Sequence, residues 1–340
     1  MISEIDIQHL YQDRNWSGQI LNTDEKSVFE EVVVDGEIVG YYNVRLKKLK
    51  MLPFYTMRLT FGPVIDYKEL ETLDLTLKQI KATAQKYGVI NIQVHPFIWN
   101  VDLKAIRKIF KDNGFERIDY YIYEATMLID LRQSEDEIFK KFENRGKEAI
   151  RQSERRGITA KQVELNEENL AIFYKLYFDT CKRTLIIPEA LSIIKAIIKM
   201  YEHTNKVLLF IAFYEERPVC SFVAFDCDSC FSLIYQGSEY ANDIPKRRPA
   251  NGLYWFTIKW AKENGYKWFD LAGVNANPMP GSKSEGIRLY KRQFGGLYVE
   301  FPGNFEFVNR PFLKFIISKI LPMYSKIVMR REKRKNYNVE

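Results

Sequence analysis

Lys147, Arg151 and Arg155 fall four residues apart between Ser134 and Gly157, with Arg145 and Arg156 close by. At helical spacing that puts three cations on one face. Guanidinium forks match phosphate geometry bidentately, so such a face suits an anionic partner. Glu143, Glu148 and Glu154 are interleaved with them, and a solvated helix paired to itself fits the pattern too. Cys227-x-x-Cys230 is a lone CxxC in a chain whose histidines are His9, His95 and His203. Without a second pair it reads as two reduced thiols at a β-turn, with no metal site expected and the reducing cytoplasm as compartment.

The elements that carry these residues can be read from period and punctuation. Ser134 and Glu137 have capping-box spacing, Ile138, Phe142 and Ile150 form an apolar stripe, and Gly157 is placed as a C-terminal cap, so one helix is expected over 134–156. Residues 28–34 and 37–44 flank Asp35-Gly36 as a hairpin, followed by the basic cluster Arg45, Lys47, Lys48 and Lys50. Residues 68–87 read as a helix stopped by Gly88, then strand 89–94, then helix 103–113. The second half repeats the order: a hairpin over 207–226, a strand over 229–237, a helix over 253–264 stopped by Gly265, and a strand over 266–271. An internal duplication offset by about 180 residues is the expectation. With 340 residues, 46% of them hydrophobic, both copies can hold a core. The net charge of +7 is compatible with phosphorylated ligands, RNA or an anionic membrane and selects none of them. The N-terminus carries acidic residues early and lacks the apolar run of a signal peptide.

Mixed strands, a hairpin, then strand–helix–strand resemble the GNAT acyltransferase fold. That fold cradles a pyrophosphate on backbone amides at a helix N-terminus. The matching stretch is Arg247-Arg248-Pro249-Ala250-Asn251-Gly252, where Ala250 replaces a glycine and Pro249 removes a donor. It is a degenerate loop. Five pieces in order resemble the Fem family of aminoacyl-tRNA-dependent peptidyltransferases: Phe61-Gly62-Pro63-Val64; Thr126 to Leu131 with the basic helix; Thr180-x-x-Arg183; Trp260 to Gly273 including Phe269-Asp270-Leu271-Ala272-Gly273; and Tyr290-Lys291-x-x-Phe294-Gly295-Gly296.

The resemblance implies an α/β protein with mixed sheets, built of two tandem GNAT-like modules plus a C-terminal helix. We place the first module at 1–157, completed by 305–340, and the second at 158–304. The implied activity moves an amino acid from aminoacyl-tRNA, as co-substrate, to a stem-peptide amine of a muramyl-peptide precursor, nucleotide- or lipid-linked. No cofactor is expected. An acyl-CoA-dependent N-acyltransferase and a silent RNA- or membrane-binding scaffold are the alternatives. The resemblance assigns Lys291 to the tRNA end or the oxyanion and Tyr290 to the tRNA 3′ end. It assigns Arg183 to the acceptor diphosphate; Lys182 beside it, or Lys48 from its place in the basic cluster, would share that contact, and Tyr235 is a candidate for the stem peptide or for core packing. Where the family commonly ends a strand in Asp-Pro this chain has His95-Pro96, so His95 is expected at the acceptor amine. The basic helix, with Lys147, Arg151 and Arg155, would face tRNA or join the modules. The alternating apolar and basic residues of 311–335 would pack as a helix on the first module or dock on an anionic membrane, in a monomer otherwise cytoplasmic.

Overall fold

The computed structural model describes residues 8–16, 24–49, 52–119, 122–241 and 243–317. The first sheet begins with the hairpin β1 (Glu25–Val34) and β2 (Glu37–Lys48), turned at Asp35-Gly36 as expected. It continues with β3 (Tyr55–Thr60), a short β4 (Val64–Ile65), β5 (Val89–His95) and β6 (Glu116–Arg117). Helices α1 (Leu70–Lys86) and α2 (Leu103–Asp112) connect them; Asp102 caps α2 by accepting from the N–H groups of Lys104 and Ala105.

The second sheet holds β7 (Ala125–Asp130), β8 (Ile158–Val163), β9 (Val207–Tyr214), β10 (Arg217–Cys227), β11 (Cys230–Ser238), β12 (Trp268–Asp270) and β13 (Leu297–Glu300). It is covered on both faces, and the alternation along β10 shows how. Cys220, Phe222 and Ala224 enter one core with α3 (Glu135–Lys141), α4 (Asn144–Arg155) and, on the same face, α7 (Pro249–Glu263). Val223, Phe225 and Cys227 enter another with α5 (Glu167–Thr184) and α6 (Leu191–Met200). A strand with both faces buried reads as a continuous apolar run, which is what VCSFVAF is.

Each sheet borrows a strand. After β6 the chain leaves the first sheet, and β7 inserts antiparallel between β12 and β13 of the second. After β13 it returns, and β14 (Phe305–Val308) inserts antiparallel between β5 and β6 of the first. The orders are β1-β2-β3-β5-β14-β6, with β4 on β2, and β13-β7-β12-β11-β10-β9-β8. The duplication is thus visible in six strand positions, β1, β2, β3, β5, β14 and β6 answering to β9, β10, β11, β12, β7 and β13, with β4 and β8 left without a counterpart. The module boundary expected at 157 moves back, because Met127, Ile129, Leu131, Ile138, Phe142 and Ile150 share one buried cluster with Phe210, Phe222 and Phe269. Chain order hid a reciprocal exchange.

The helix expected over 134–156 is two. The Ser134–Glu137 capping box forms, but the chain breaks at Phe142 and Glu143. The break lets Phe142 enter the core and Glu143 N–H donate to Gln293 O at 2.9 Å. Gly146 then lies against the Gln293 backbone, where a Cβ would sit 2.6 Å from its carbonyl oxygen. From the C-terminal segment only α9 (Pro311–Phe315), beside β5, and residues 316–317 are described; the rest of the tail lies outside the described residues. Among the described residues no helix is long and apolar enough to cross a membrane.

Candidate active site

The second sheet opens where its parallel pair ends. β11 and β12 pair through three residues, from Cys230↔Trp268 to Ser232↔Asp270, after which β11 runs on and β12 turns away. The turn is tight: Ala272 sits at φ +66, a left-handed conformation that costs a non-glycine residue. Asp270 holds it from one side. Its buried carboxylate accepts from Thr126 Oγ1, from Ser232 Oγ at 3.3 Å and from Ala272 N–H at 3.0 Å. Burial pushes its pKa up, opposed by these donors and by the charge of Lys291.

Lys291 holds the turn from the other side. It projects from α8 (Lys283–Arg292), is 6% exposed, and its Nζ donates to the carbonyls of Ala272 and Gly273, each at 2.9 Å. Burial lowers its pKa to about 8, against the upward pull of Asp270. Two consequences follow. The Ala272–Gly273 peptide is polarised by a cation on its oxygen, and a trans peptide aims the Gly273 N–H away from that cation. Gly273 must also be glycine, because a Cβ there would run into the Tyr123 ring.

Cavities lie on both sides of Tyr123. One, of about 380 Å³, sits between the modules and is lined by Arg45, Arg58 and Thr60 of the first sheet and by Tyr235 and Ala272 of the second. Tyr11, Trp16 and Glu189 also line it, among apolar side chains that include Phe61 and Leu233. The other, of about 600 Å³, is lined by Arg117, Glu124, Gly273, Asn275, Asn277 and Ser284. Ile122 and Tyr123 line both, so the two cavities adjoin there. The N-terminal segment bolts the modules together at the first cavity. Gln12 Nε2 donates to Asn43 O (3.1 Å) and Thr60 O (2.8 Å), while Asp13 pairs with Lys206 of the second module at 2.7 Å. Trp16 packs in the core of α5 and α6.

The residues expected at the site scatter. Tyr235 lines the central cavity, while packing on Phe173 and Tyr177. Lys291 lies behind the cavity wall, whose lining is Ala272 and Gly273, so it positions the turn. Tyr290 packs in the core against Tyr254 and Phe294, its hydroxyl 3.4 Å from Asn251 Oδ1. Arg183 stacks on Tyr240, 4.4 Å from the ring centroid, in a separate groove with Lys175 and Glu239, so Arg183 and Lys291 meet at no common cavity. Lys182 is exposed beside it, and Lys48 is exposed at the end of β2, three residues beyond the cavity-lining Arg45. Among the described residues of that same basic cluster, Arg45 is the one that lines the central cavity.

His95 is buried at the end of β5 with Nδ1 2.7 Å from Asn304 Oδ1, lines neither cavity, and is held down to about 4 by burial. On the basic face of α4, Arg155 pairs with Glu148 at 2.6 Å, Lys147 Nζ donates to Lys140 O at 2.8 Å and Arg151 lies over Phe139. Of the interleaved glutamates Glu148 pairs within the helix, whereas Glu143 takes Arg292 at 2.8 Å. Cys227 and Cys230 flank the β10–β11 turn as free thiols, and burial pushes both up, Cys227 to about 12. The Arg247–Gly252 stretch does not fit a pyrophosphate. Pro249 lacks an N–H, those of Asn251 and Gly252 are spent on Arg248 O, and Gly252 is packed against Ser153.

Sequence reading had no reason to select Tyr123, Arg58, Tyr11 or Trp16. Asp270 stood in a motif that it quoted without giving the carboxylate a role.

Residues 140–292 match the acetyltransferase (GNAT) domain family. Among curated relatives, the protein named lipid II:glycine glycyltransferase of Staphylococcus haemolyticus (strain JCSC1435) is 24% identical, with 86% of each chain covered. Its namesake in Staphylococcus aureus (strain MRSA252) is 23% identical over 88% of this chain and 89% of that one. Among solved structures, the crystal structure of FemX superposes with a TM-score of 0.81 at 18% identity, covering 94% of this chain and 96% of the other. The structure of L-PGS from Bacillus licheniformis gives 0.51 at 13% identity, covering 89% and 90%. The twin acyltransferase fold and the family resemblance read from the motifs are both borne out.

Proposed function

With a Fem-type scaffold as the premise, we propose that this chain is an aminoacyltransferase acting on a peptidoglycan precursor. In this reading the acceptor is the stem-peptide amine of a muramyl peptide and the donor is an aminoacyl-tRNA. The names of the staphylococcal relatives favour a lipid-linked acceptor over a soluble nucleotide.

One observation carries the proposal: a strained backbone turn, gripped by a buried lysine and a buried aspartate, forms part of the wall of two separate cavities. Two substrates that must meet at one carbonyl need such a meeting point. The acceptor occupies the central cavity, its diphosphate on Arg45 and Arg58, its amine held by the Glu189 carboxylate, its peptide along Tyr235. The aminoacyl ester approaches from the larger cavity. The ammonium gives one proton to water and the free amine attacks the ester carbonyl; the C–N bond forms, the ester C–O bond breaks, and the second proton lost by the nitrogen leaves with the ribose oxygen as its hydroxyl. The negative charge that develops in between is met by the Gly273 N–H, whose peptide Lys291 polarises. Lys291 acts through the backbone.

Incubation with a pool of charged tRNAs and both nucleotide- and lipid-linked muramyl peptides, read by mass, tests the proposal. Transfer to the lipid-linked acceptor is expected. No transfer from any charged tRNA would end the reading.

A further inference from the structure

The turn after α5 exposes apolar side chains that its own fold does not need. Leu185 is 85% exposed, Ile186 55% and Ile187 92%. α5 closes there with Leu185 in the left-handed conformation, φ +56, and Ile186 N–H donating to Cys181 O at 3.0 Å. Glycine or asparagine is the usual residue at such a cap. A leucine pays in backbone strain and again in hydration, and nothing in the described protein covers it.

Charge surrounds this tip. Lys182 and Arg183 precede it, and Lys283 joins it from α8, its Nζ donating to Thr184 O at 2.8 Å. Asp179 lies a turn back on α5, and Glu285 is engaged with Ser282 and Gly281 at the start of α8. Met279, 76% exposed, lies on the segment leading into α8. Apolar side chains ringed by cations match an anionic bilayer, where the chains reach the acyl boundary and the cations remain with the headgroups.

Position supplies the rest. Two residues past Ile187 the chain reaches Glu189 on the wall of the central cavity, and next to Lys283 is Ser284 on the wall of the larger one.

We propose that Leu185–Ile187 is a membrane-docking tip that seats both cavities at the headgroups of an anionic bilayer, where a lipid-linked acceptor presents its peptide. The proposal rests on the lipid-linked reading of the acceptor.

The test compares the full-length chain with its L185N/I187S variant in co-sedimentation with phosphatidylcholine vesicles, with and without phosphatidylglycerol. Asparagine tolerates the left-handed cap, and circular dichroism verifies folding. Wild-type protein is expected on the anionic vesicles, weakening as salt is raised, and the variant about tenfold less so. Transfer to the nucleotide-linked acceptor should be equal in both proteins, with transfer to vesicle-borne acceptor lower in the variant. Equal sedimentation of variant and wild type, absence of wild-type binding, or equal binding to neutral vesicles would each overturn the assignment. If neither acceptor is ever modified, the proposed activity fails while the vesicle measurement still decides the tip.

Discussion

The two parallel strand pairs hold the same place in their sheets and end differently. In the first module β3 and β5 stay paired to Thr60↔His95, and the imidazole is buried against Asn304, which stands just before the borrowed strand β14. In the second, pairing ends at Ser232↔Asp270, and the carboxylate is bound by Thr126 of the borrowed strand β7. The wiring is common to both: a residue at the end of the strand is held by a side chain that the strand exchange delivers. The chemistry is not. The first copy closes its end with a ring that burial keeps neutral, whereas the second buries a carboxylate and a lysine beside a strained turn on a cavity wall. Buried charges of this kind cost stability and are kept where a site uses them. The first copy contributes a cationic wall instead, through Arg45 and Arg58.

Lys291→Met should separate the copies most sharply. It leaves two carbonyls of half-buried residues without their donor, costing about 1–3 kcal/mol of stability. Transfer should fall about a hundredfold, with the acceptor KM little changed, because the lost effect belongs to the transition state. Steady-state kinetics and thermal melts check both, and an unaltered kcat would place Lys291 outside the site. The pH signature is distinctive. With its pKa lowered to about 8 from 10.5, Lys291 loses its proton in the folded chain while the unfolded chain still binds it. Stability therefore rises as pH increases through that window, while kcat falls. K291M should lose both trends.

Arg45→Met and Arg183→Met test which module holds the acceptor. Arg45 lines the cavity between the modules and Arg183 lies in a different groove. Loss of one charge-assisted contact to a diphosphate is worth about 1.5–3 kcal/mol, so Arg45→Met should raise the acceptor KM about tenfold or more. Arg183→Met should change it less than about twofold. The reverse ranking would return the diphosphate to the second module, where the family resemblance had put it.

What could be read from the sequence follows the range of the forces involved. Asp35-Gly36, the capping box at Ser134 and the glycine stops at Gly88 and Gly265 are local, and each element they bound is present. The repeat was legible because helix, stop and strand recur in order. Strand exchange was not, because β7 and β14 look alike whichever sheet they join, and partner choice is made by cores distant in sequence. Lys291 came from a motif, but its burial and its carbonyl partners depend on how α8 meets the 270–273 turn. Arg45 and Lys48 belong to one basic cluster. Only strand register decides that Arg45 reaches the cavity while Lys48 stays in solvent.

His95→Gln carries the smallest expected effect on transfer, and for that reason weighs heavily on the comparison. The imidazole touches Asn304 and lines neither cavity, so an amide that keeps a bond to Asn304 should hold kcat within about twofold and cost about 1–2 kcal/mol of stability. The acid limb of stability should change more. Burial keeps His95 neutral down to about 4, while the unfolded chain takes up the proton near 6.5. Between those values the unfolded state binds more protons, so stability drains away as pH falls through the window, by up to about 3 kcal/mol from this group. Urea unfolding of wild type and H95Q across that range should show a shallower slope in the variant; His9, whose buried ring is held down to about 3, adds to the remaining slope, and the carboxyls of Asp226, Asp228 and Asp270, pushed up by burial, oppose it. A collapse of kcat in H95Q with stability intact would mean that the first strand end takes part in transfer, and the distinction between a closed copy and an open one would fail.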